Sequence, residues 1–399
     1  MNILFCCFDN VSPENGGTER ITSSLSYCFE KKYNHKCYLA YEKDCDSCVL
    51  TKFEGRIKIK SSQDGVLFEK FICENRIDLI IVQGWFSLVP WIRSFSKVRS
   101  VPIVFAHHFA PAFELDYFTV SRLWDVYKQS SSLFDRFKLL LKIAAHPIYF
   151  QIKKRMMRNM YKAAYKESDQ VVLLSKSFIQ DFCKFGNIGD TEKFSVIHNM
   201  LSFNIFANLD DLKMKKKYVL IVSRLEEHQK RISVALDIWK LVKEDLSLKD
   251  WSLHVLGTGP DEEKYKQKVN DEKIPDVIFY GKTNPIEMYK KSSIFLMTSI
   301  SEGWGLTLTE SMQNGVVPIA FDTYSSLHDI VTNDFDGLIA PKNDKNAYCE
   351  LLKKLMKNEE WRSVLAKNAV ESARRFSIEK ISEKWNTLLE MVAEKSLML

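Results

Sequence analysis

Apolar residues along this chain gather in short continuous runs. In the first half these are NILFCCF, KCYLAYE, DLIIVQG, PIVFAHH, QVVLLS and FSVIHN; in the second, KYVLIVSRL, SLHVLGTG, VIFYGK, SIFLMTS, VVPIAF and DGLIAP. Hydrophobicity that does not alternate marks strands covered on both faces, and the intervening segments repeat apolar residues at helical spacing. The pattern therefore predicts parallel sheets with βαβ crossovers. Two such series predict two doubly wound α/β domains. The polar and basic stretch NLDDLKMKKK, inside 201–217, reads as a linker between a first domain over 1–205 and a second over 216–375. In 376–399, Ile378, Ile381, Trp385, Leu388, Leu389 and Val392 recur at helical spacing, predicting a terminal helix that packs across the domain interface.

Charge changes this picture in one region. The net charge is +6, but residues 1–200 hold 28 Lys+Arg against 21 Asp+Glu, while 201–399 hold 29 against 30. Between Lys128 and Lys166 ten basic residues accompany a single acid, Asp135. Interleaved Phe137, Leu139, Leu140, Leu141, Ile148, Tyr149, Phe150, Met156 and Met157 fit an amphipathic interfacial helix broken at Pro147. Residues 128–166 thus predict attraction to an anionic membrane surface, worth about 1 kcal/mol per cation; the plainer reading is a solvated helix face. Nucleic acid is disfavoured as a partner, since no repeated aromatic-basic module accompanies the charge.

No apolar run reaches the roughly 18 residues that span a bilayer. The N-terminal MNILFCCFDN lacks a basic leader region and reads as a buried strand, and most of the nine cysteines lie in apolar strands, which suits a cytoplasmic location. Cys45-Asp-Ser-Cys48 is a lone CxxC without a second pair.

Ligands of doubly wound sheets bind beyond the carboxyl ends of the strands, so two facing domains would form one cleft. Arg224 ends a strand and Lys230 stands where the next helix begins, a spacing that suits an anion clamp. Gly257-Thr-Gly259-Pro260 reads as a tight strand-to-helix turn, and Gly16-Gly17 as a loop that lets a ligand approach backbone ahead of a helix. His107-His108 closes a first-domain strand. Asp334-Phe-Asp336-Gly337 and Asp44-Cys-Asp46 read as turns rather than metal ligands, with Gly337 in the left-handed region.

The stretch SEGWGLTLTESMQNGVVPIAF is the most informative. Thr307-Leu-Thr-Glu310 has the form of a capping box, in which Glu310 only satisfies a helix start. That leaves Glu302 and the glycines unexplained. Read as a site, the turn brings the amides of Gly305 and Leu306 to an anion, with one acid on either side to accept sugar hydroxyls. This is what a nucleotide sugar requires.

Five elements, in order, resemble those of the family 4 retaining glycosyltransferases: PENGGTER, SRLEEHQK, LGTGP, EGWGLTLTE (an E-x7-E motif) and ESMQNGVVPIAF. The resemblance implies a GT-B fold, with two Rossmann-like domains facing across a cleft and the terminal helix crossing back to the first. It implies that Glu302 contacts the donor sugar and Glu310 the ribose. Arg224 and Lys230 would hold the diphosphate, beside Gly16, Gly17 and the Gly303-Trp304-Gly305-Leu306-Thr307 turn. Tyr280-Gly281-Lys282 would lie against the base, and His108, with His107 as the alternative, would be the family's catalytic histidine. The donor would be a UDP or GDP sugar, the acceptor a glycan or lipid-linked glycan, the location cytoplasmic or peripheral to the membrane, and no metal or cofactor is implied. Rival readings on the same pattern are a nucleotide-sugar epimerase, a dinucleotide-dependent oxidoreductase and a non-catalytic carbohydrate- or lipid-binding protein.

Overall fold

All twelve apolar runs are strands, and among the described residues a thirteenth joins them. The structure, a computed structural model, describes residues 1–14, 16–45, 49–60 and 64–398. Asp46 and Cys48, on which the Asp44-Cys-Asp46 and CxxC readings depend, lie outside the described residues. The chain divides into a first unit of residues 1–197 with 382–399 and a second of residues 198–381.

The first unit holds β1 (Asn2–Asp9), β2 (Lys36–Lys43), β3 (Gly55–Lys58), β4 (Leu79–Gln83), β5 (Ile103–His107), β6 (Gln170–Leu173) and β7 (Phe194–Val196). They pair in parallel in the order β3-β2-β1-β4-β5-β6-β7. Every residue of β4, β5 and β6 is buried, as strands sandwiched between helices must be. The series expected in this half lacked β3. Its sequence, GRIK, buries only Ile57 at the sheet edge, and one apolar residue leaves no run to detect.

The second unit holds β8 (Tyr218–Val222), β9 (Ser252–Leu256), β10 (Val277–Phe279), β11 (Ile294–Met297), β12 (Val317–Phe321) and β13 (Leu338–Ala340), in the order β10-β9-β8-β11-β12-β13. Both sheets therefore reverse strand order beside their first strand, at β1/β4 and at β8/β11, and those reversals define the crevices where ligands bind. Two of the second unit's large core aromatics have their polar handles satisfied: Trp239 Nε1 donates to the Pro275 carbonyl at 2.8 Å and the Tyr348 hydroxyl to that of Ile319 at 2.6 Å.

Residues 198–217 belong to the second unit, and the stretch expected as a linker contains a short helix, Leu209–Lys213. Asn208 and Asp211 close a capping box at its start, the Asn208 side chain accepting from the Asp210 and Asp211 amides at 2.9 Å. The terminal helix, Ile378–Met398, buries Ile381, Trp385, Leu388, Leu389 and Val392, and its residues from Ser382 onward belong to the first unit.

Candidate functional site

In the second unit, the residues that follow β8 and β11 are tied together across the strand-order reversal. After β8 come the exposed Arg224 and a one-turn helix, Glu227–Lys230; Arg231 then takes a left-handed conformation (φ 51°) before the helix Ile232–Lys243 begins. Thr298, just past β11, donates its hydroxyl to the carbonyls of Lys230 and Arg231, each at 3.0 Å. Gln229 Nε2 donates to the Ser301 carbonyl at 3.0 Å, and the Ile300 amide to that of Gln229 at 2.8 Å. This scaffold delivers Lys230 Nζ to Glu302 Oε1 at 2.6 Å, with 20% and 8% of the two side chains exposed. Arg224 reaches Glu226 at 3.7 Å and otherwise projects into solvent. One strongly buried pair and one exposed cation thus stand at the same crevice.

The Arg224 loop is seated by the Gly257-Thr-Gly259 turn after β9. Gly257 has φ +129°, and a Cβ there would come within 1.9 Å of the Ser223 carbonyl oxygen; a Cβ on Gly259 would come within 2.3 Å of that of Leu225. The Leu225 amide donates to the Thr258 carbonyl at 2.9 Å. These glycines permit backbone-to-backbone contact between two strand-end loops, a more specific job than turning the chain.

The helix Leu306–Gln313 is headed by Gly305 at φ +88°. The amides of its first turn have no intrahelical acceptor and carry the positive end of the helix dipole. The cap is Gly305 rather than Thr307, so the capping box does not form. Glu310 is instead buried, its carboxylate accepting from the Tyr289 hydroxyl at 3.0 Å and from the Ser202 hydroxyl. Asn314-Gly315 ends the helix in a Schellman motif: the Gly315 amide donates to the Met312 carbonyl and the Val316 amide to that of Ser311, both at 2.9 Å, with Gly315 at φ +65°. The Trp304 side chain turns inward, stacked on His198 at 4.6 Å and edge-on to Phe376 at 5.2 Å. Gly303 and Thr307 flank it in the loop and first turn. After β10, the half-exposed Tyr280 is held by its hydroxyl against His254 Nδ1 at 2.9 Å, Gly281 is left-handed (φ +67°) and Lys282 is exposed. Burial pushes His254 down to about 4, so it meets Tyr280 as a neutral imidazole.

Asp336 and Asp334 lie in a turn, as expected. Asp336 Oδ1 accepts from the Thr332 amide at 2.7 Å, and burial pushes its carboxyl up. The left-handed residue is Asp334 (φ 61°), not Gly337; Gly337 is needed because a Cβ would press on the Pro318 ring at 2.7 Å.

In the first unit, Gly16 caps and Gly17 begins the helix Gly17–Tyr33. Gly16 is extended, and a Cβ on it would strike the Glu19 carboxylate at 2.5 Å. The two histidines diverge. His107 points into the core, ringed by Phe86, Phe105 and Phe182, with Nε2 3.3 Å from the Tyr161 hydroxyl. Burial, and His108 beside it, push it down to about 3. His108 instead hydrogen-bonds Gln83 and lines a cavity of about 320 Å³ with Asp9, Glu19 and Trp85, at the β1/β4 reversal. Burial, opposed by its own backbone hydrogen bond and aided by Asp9, pushes the Glu19 carboxyl up. Glu19 and Gln83 were not singled out from sequence, although an acid two residues after Gly17 and a polar residue ending the apolar run DLIIVQ are the signals that mark them.

Residues 207–372 match the family model described as glycosyl transferases group 1. A poly(glycerol-phosphate) alpha-glucosyltransferase of Bacillus subtilis is 23% identical over 254 residues, 62% of this chain and 37% of the relative. A Campylobacter jejuni alpha-1,4-N-acetyl-D-galactosaminyltransferase, named for a diphospho-undecaprenol-linked acceptor, is 24% identical over 259 residues, 64% of this chain and 69% of the relative. The chain therefore spans little more than a third of the Bacillus protein's length. A solved Anabaena structure in complex with UDP-glucose aligns over 98% of this chain and all of its own, at 15% identity and a TM-score of 0.71. The chain has the fold of the GT-B glycosyltransferases, and residues 207–372 carry the match to glycosyl transferases group 1.

Proposed function

We propose that the protein is a retaining glycosyltransferase that moves a hexosyl group from a UDP or GDP sugar to a glycan or lipid-linked acceptor in surface polysaccharide synthesis. The observation that carries this reading is the Lys230–Glu302 pair, set at the β8/β11 reversal beside the Gly305-headed helix. Cations and helix amides suit the diphosphate of such a donor, and the carboxylate suits its sugar. Arg224, Lys230 and the amides of Gly305, Leu306 and Thr307 receive the diphosphate; Glu302 accepts hydroxyls of the sugar. Glu310, which accepts from Tyr289 and Ser202, is read as the acceptor of a ribose hydroxyl. Tyr280, Gly281 and Lys282 lie against the base. In the first unit, His108 lines a crevice of its own with Thr18 and Glu19, at the start of the helix that Gly16 caps and Gly17 begins.

As the anomeric C–O bond breaks, its electron pair passes to the phosphate oxygen, and that charge is met by the two cations and the amides without a metal. The acceptor oxygen bonds the anomeric carbon on the face the phosphate leaves, and the departing oxygen takes the acceptor's proton, so configuration is retained. The relatives' names support such donors and acceptors: the Anabaena structure holds UDP-glucose, and the Campylobacter enzyme is named for a lipid-linked acceptor.

A thermal-shift screen against UDP, GDP and ADP sugars tests the donor. A true donor at a hundredfold its dissociation constant adds about 2.7 kcal/mol. With the donor found, Arg224→Ala should lose on the order of 2–4 kcal/mol of transition-state stabilisation, read as kcat. Turnover that persists in EDTA with an acceptor present, and product whose anomeric configuration matches the donor's, are the expected results. Epimerised donor without any acceptor would assign the epimerase instead.

A further inference from the structure

We propose that helices Leu133–Ala144 and His146–Glu167 of the first unit form a surface that docks on an anionic membrane, lying on the bilayer without crossing it. The proposal rests on which sides of these helices are buried, and stands independently of the sugar-transfer reading.

On Leu133–Ala144 the only buried side chain is Leu139. Leu133, Phe134, Phe137, Leu140 and Leu141 are all exposed, the first three by 82%, 66% and 59%. At about 100° per residue those five positions fall within a sector of about 120°, and Leu139 lies on the opposite side. The helix thus packs its poorer apolar side against the protein and turns its richer one outward. His146–Glu167 repeats the arrangement. Its stripe Ile148, Ile152, Met156 is exposed, the first two by 68% and 61%, while Met157, Tyr161, Ala164 and Tyr165 are buried behind it. A single residue, Ala145, joins the helices: its amide donates to the Leu141 carbonyl and its carbonyl accepts from the Tyr149 amide, both at 3.0 Å. The break lies there, and Pro147 sits in the first turn of the following helix, where its missing N–H costs nothing.

Charge selects the occupant. Of the ten cations between Lys128 and Lys166, Arg136, Lys138, Lys142 and Lys153 sit over aromatic rings, Lys138 Nζ lying 4.0 Å from the Phe134 centroid and Lys142 Nζ 5.7 Å from that of Tyr149. On Leu133–Ala144, Arg136 and Lys138 border the exposed face, each about 100° from its centre, and Lys142 lies further round at about 140°; cations flanking an apolar face cover it with their stems, as at a membrane–water boundary. The one acid, Asp135, lies about 160° from the centre of the exposed face, with its amide on the Ser132 hydroxyl. A second copy of this chain would bring like charges together across the same face, whereas anionic headgroups complement it at about 1 kcal/mol per cation. No helix among the described residues is long and apolar enough to cross a membrane.

The test is co-sedimentation with vesicles of phosphatidylglycerol and phosphatidylethanolamine, beside vesicles of phosphatidylcholine alone. Wild type should bind the anionic vesicles at least about tenfold more tightly, and less so as salt rises. The triple variant Leu133→Ser, Phe134→Ser, Phe137→Ser should lose at least about tenfold, and so should Lys138→Glu with Lys142→Glu. All five side chains are exposed, so both variants should keep the wild-type melting temperature, and any donor-induced thermal shift should be unchanged. Equal partition of wild type and triple variant, or no preference for anionic vesicles at low salt, overturns the proposal. So does a concentration-dependent dimer, seen by sedimentation velocity, that the triple variant abolishes; the face would then be an interface between copies.

Discussion

Lys230 and Glu302 are worth most to each other as a pair. Glu302 exposes 8% of its side chain, and replacing Lys230 with methionine strands a carboxylate that has little water to turn to. Lys230→Met should lose about 1–3 kcal/mol of stability, read from a denaturant midpoint. Adding Glu302→Gln should recover much of that, because the remaining group is neutral. Sugar transfer should return in neither, so the double variant separates structural from chemical loss. His107 offers a second residue-scale test. Its ordinary value of 6.5 falls to about 3 in the fold because burial opposes its charge. Below pH 6.5 the unfolded chain therefore takes a proton that the folded chain refuses. Stability from this site is full above 6.5 and is lost progressively as pH falls toward 3. At about pH 4.5 the loss amounts to about 2–3 kcal/mol. His107→Phe, placed among the rings of Phe86, Phe105 and Phe182, should show a shallower decline in melting temperature between about pH 7 and 4.5. An equal decline in both proteins would mean that the histidine can charge in place.

At the scale of elements, strands and their ends were legible because burial on both faces writes itself as a continuous apolar run. Burial of individual polar residues was not. Nothing local distinguishes Glu302, held by Lys230, from Glu310, sunk against Tyr289 and Ser202, because the partners come from segments 72, 21 and 108 residues away. Likewise Thr307-Leu-Thr-Glu310 spelled a capping box, but the helix starts earlier on Gly305, whose left-handed φ no capping side chain can supply. The glycines of LGTGP looked like an ordinary turn, since their crowding against Ser223 and Leu225 is a tertiary fact. Two substitutions separate these cases. At Gly305 an added Cβ meets nothing closer than 3.7 Å, so Gly305→Ala costs only its backbone strain, about 1–2 kcal/mol. At Gly257 the same strain comes with a contact of 1.9 Å to backbone that cannot swing aside. Gly257→Ala should cost more than about 3 kcal/mol and displace the Arg224 loop, weakening donor binding at temperatures where the protein is still folded. Equal melting temperatures for the two variants would show that the β8 and β9 loops yield more readily than this packing implies.

Over the whole molecule, the last residues of the chain belong to the unit that contains the first. Residues 382–399 join 1–197, although 198–381 intervene in sequence. Their ties are specific. The Asn386 side chain meets His35 Nε2 at 2.8 Å, just before β2, and the Ser396 hydroxyl donates to the Ser100 carbonyl at 3.0 Å, just before β5. Trp385, Leu388, Leu389 and Val392 are buried, and at about 1.5–3 kcal/mol each they contribute roughly 6–12 kcal/mol as an upper estimate. A domain's entire stability is about 5–15 kcal/mol. Ending the chain after Ile381 should therefore remove most of what keeps the first unit folded while leaving 198–381 with its own sheet and core. Hydrogen exchange resolves the two. Amides of β1, β2 and the helix Gly17–Tyr33 should lose protection in the truncated chain, and those of β8, β11 and β12 should keep theirs. If both sets weaken together, the units do not unfold separately; if neither weakens, the terminal helix adds little beyond the contacts the first unit already makes within itself.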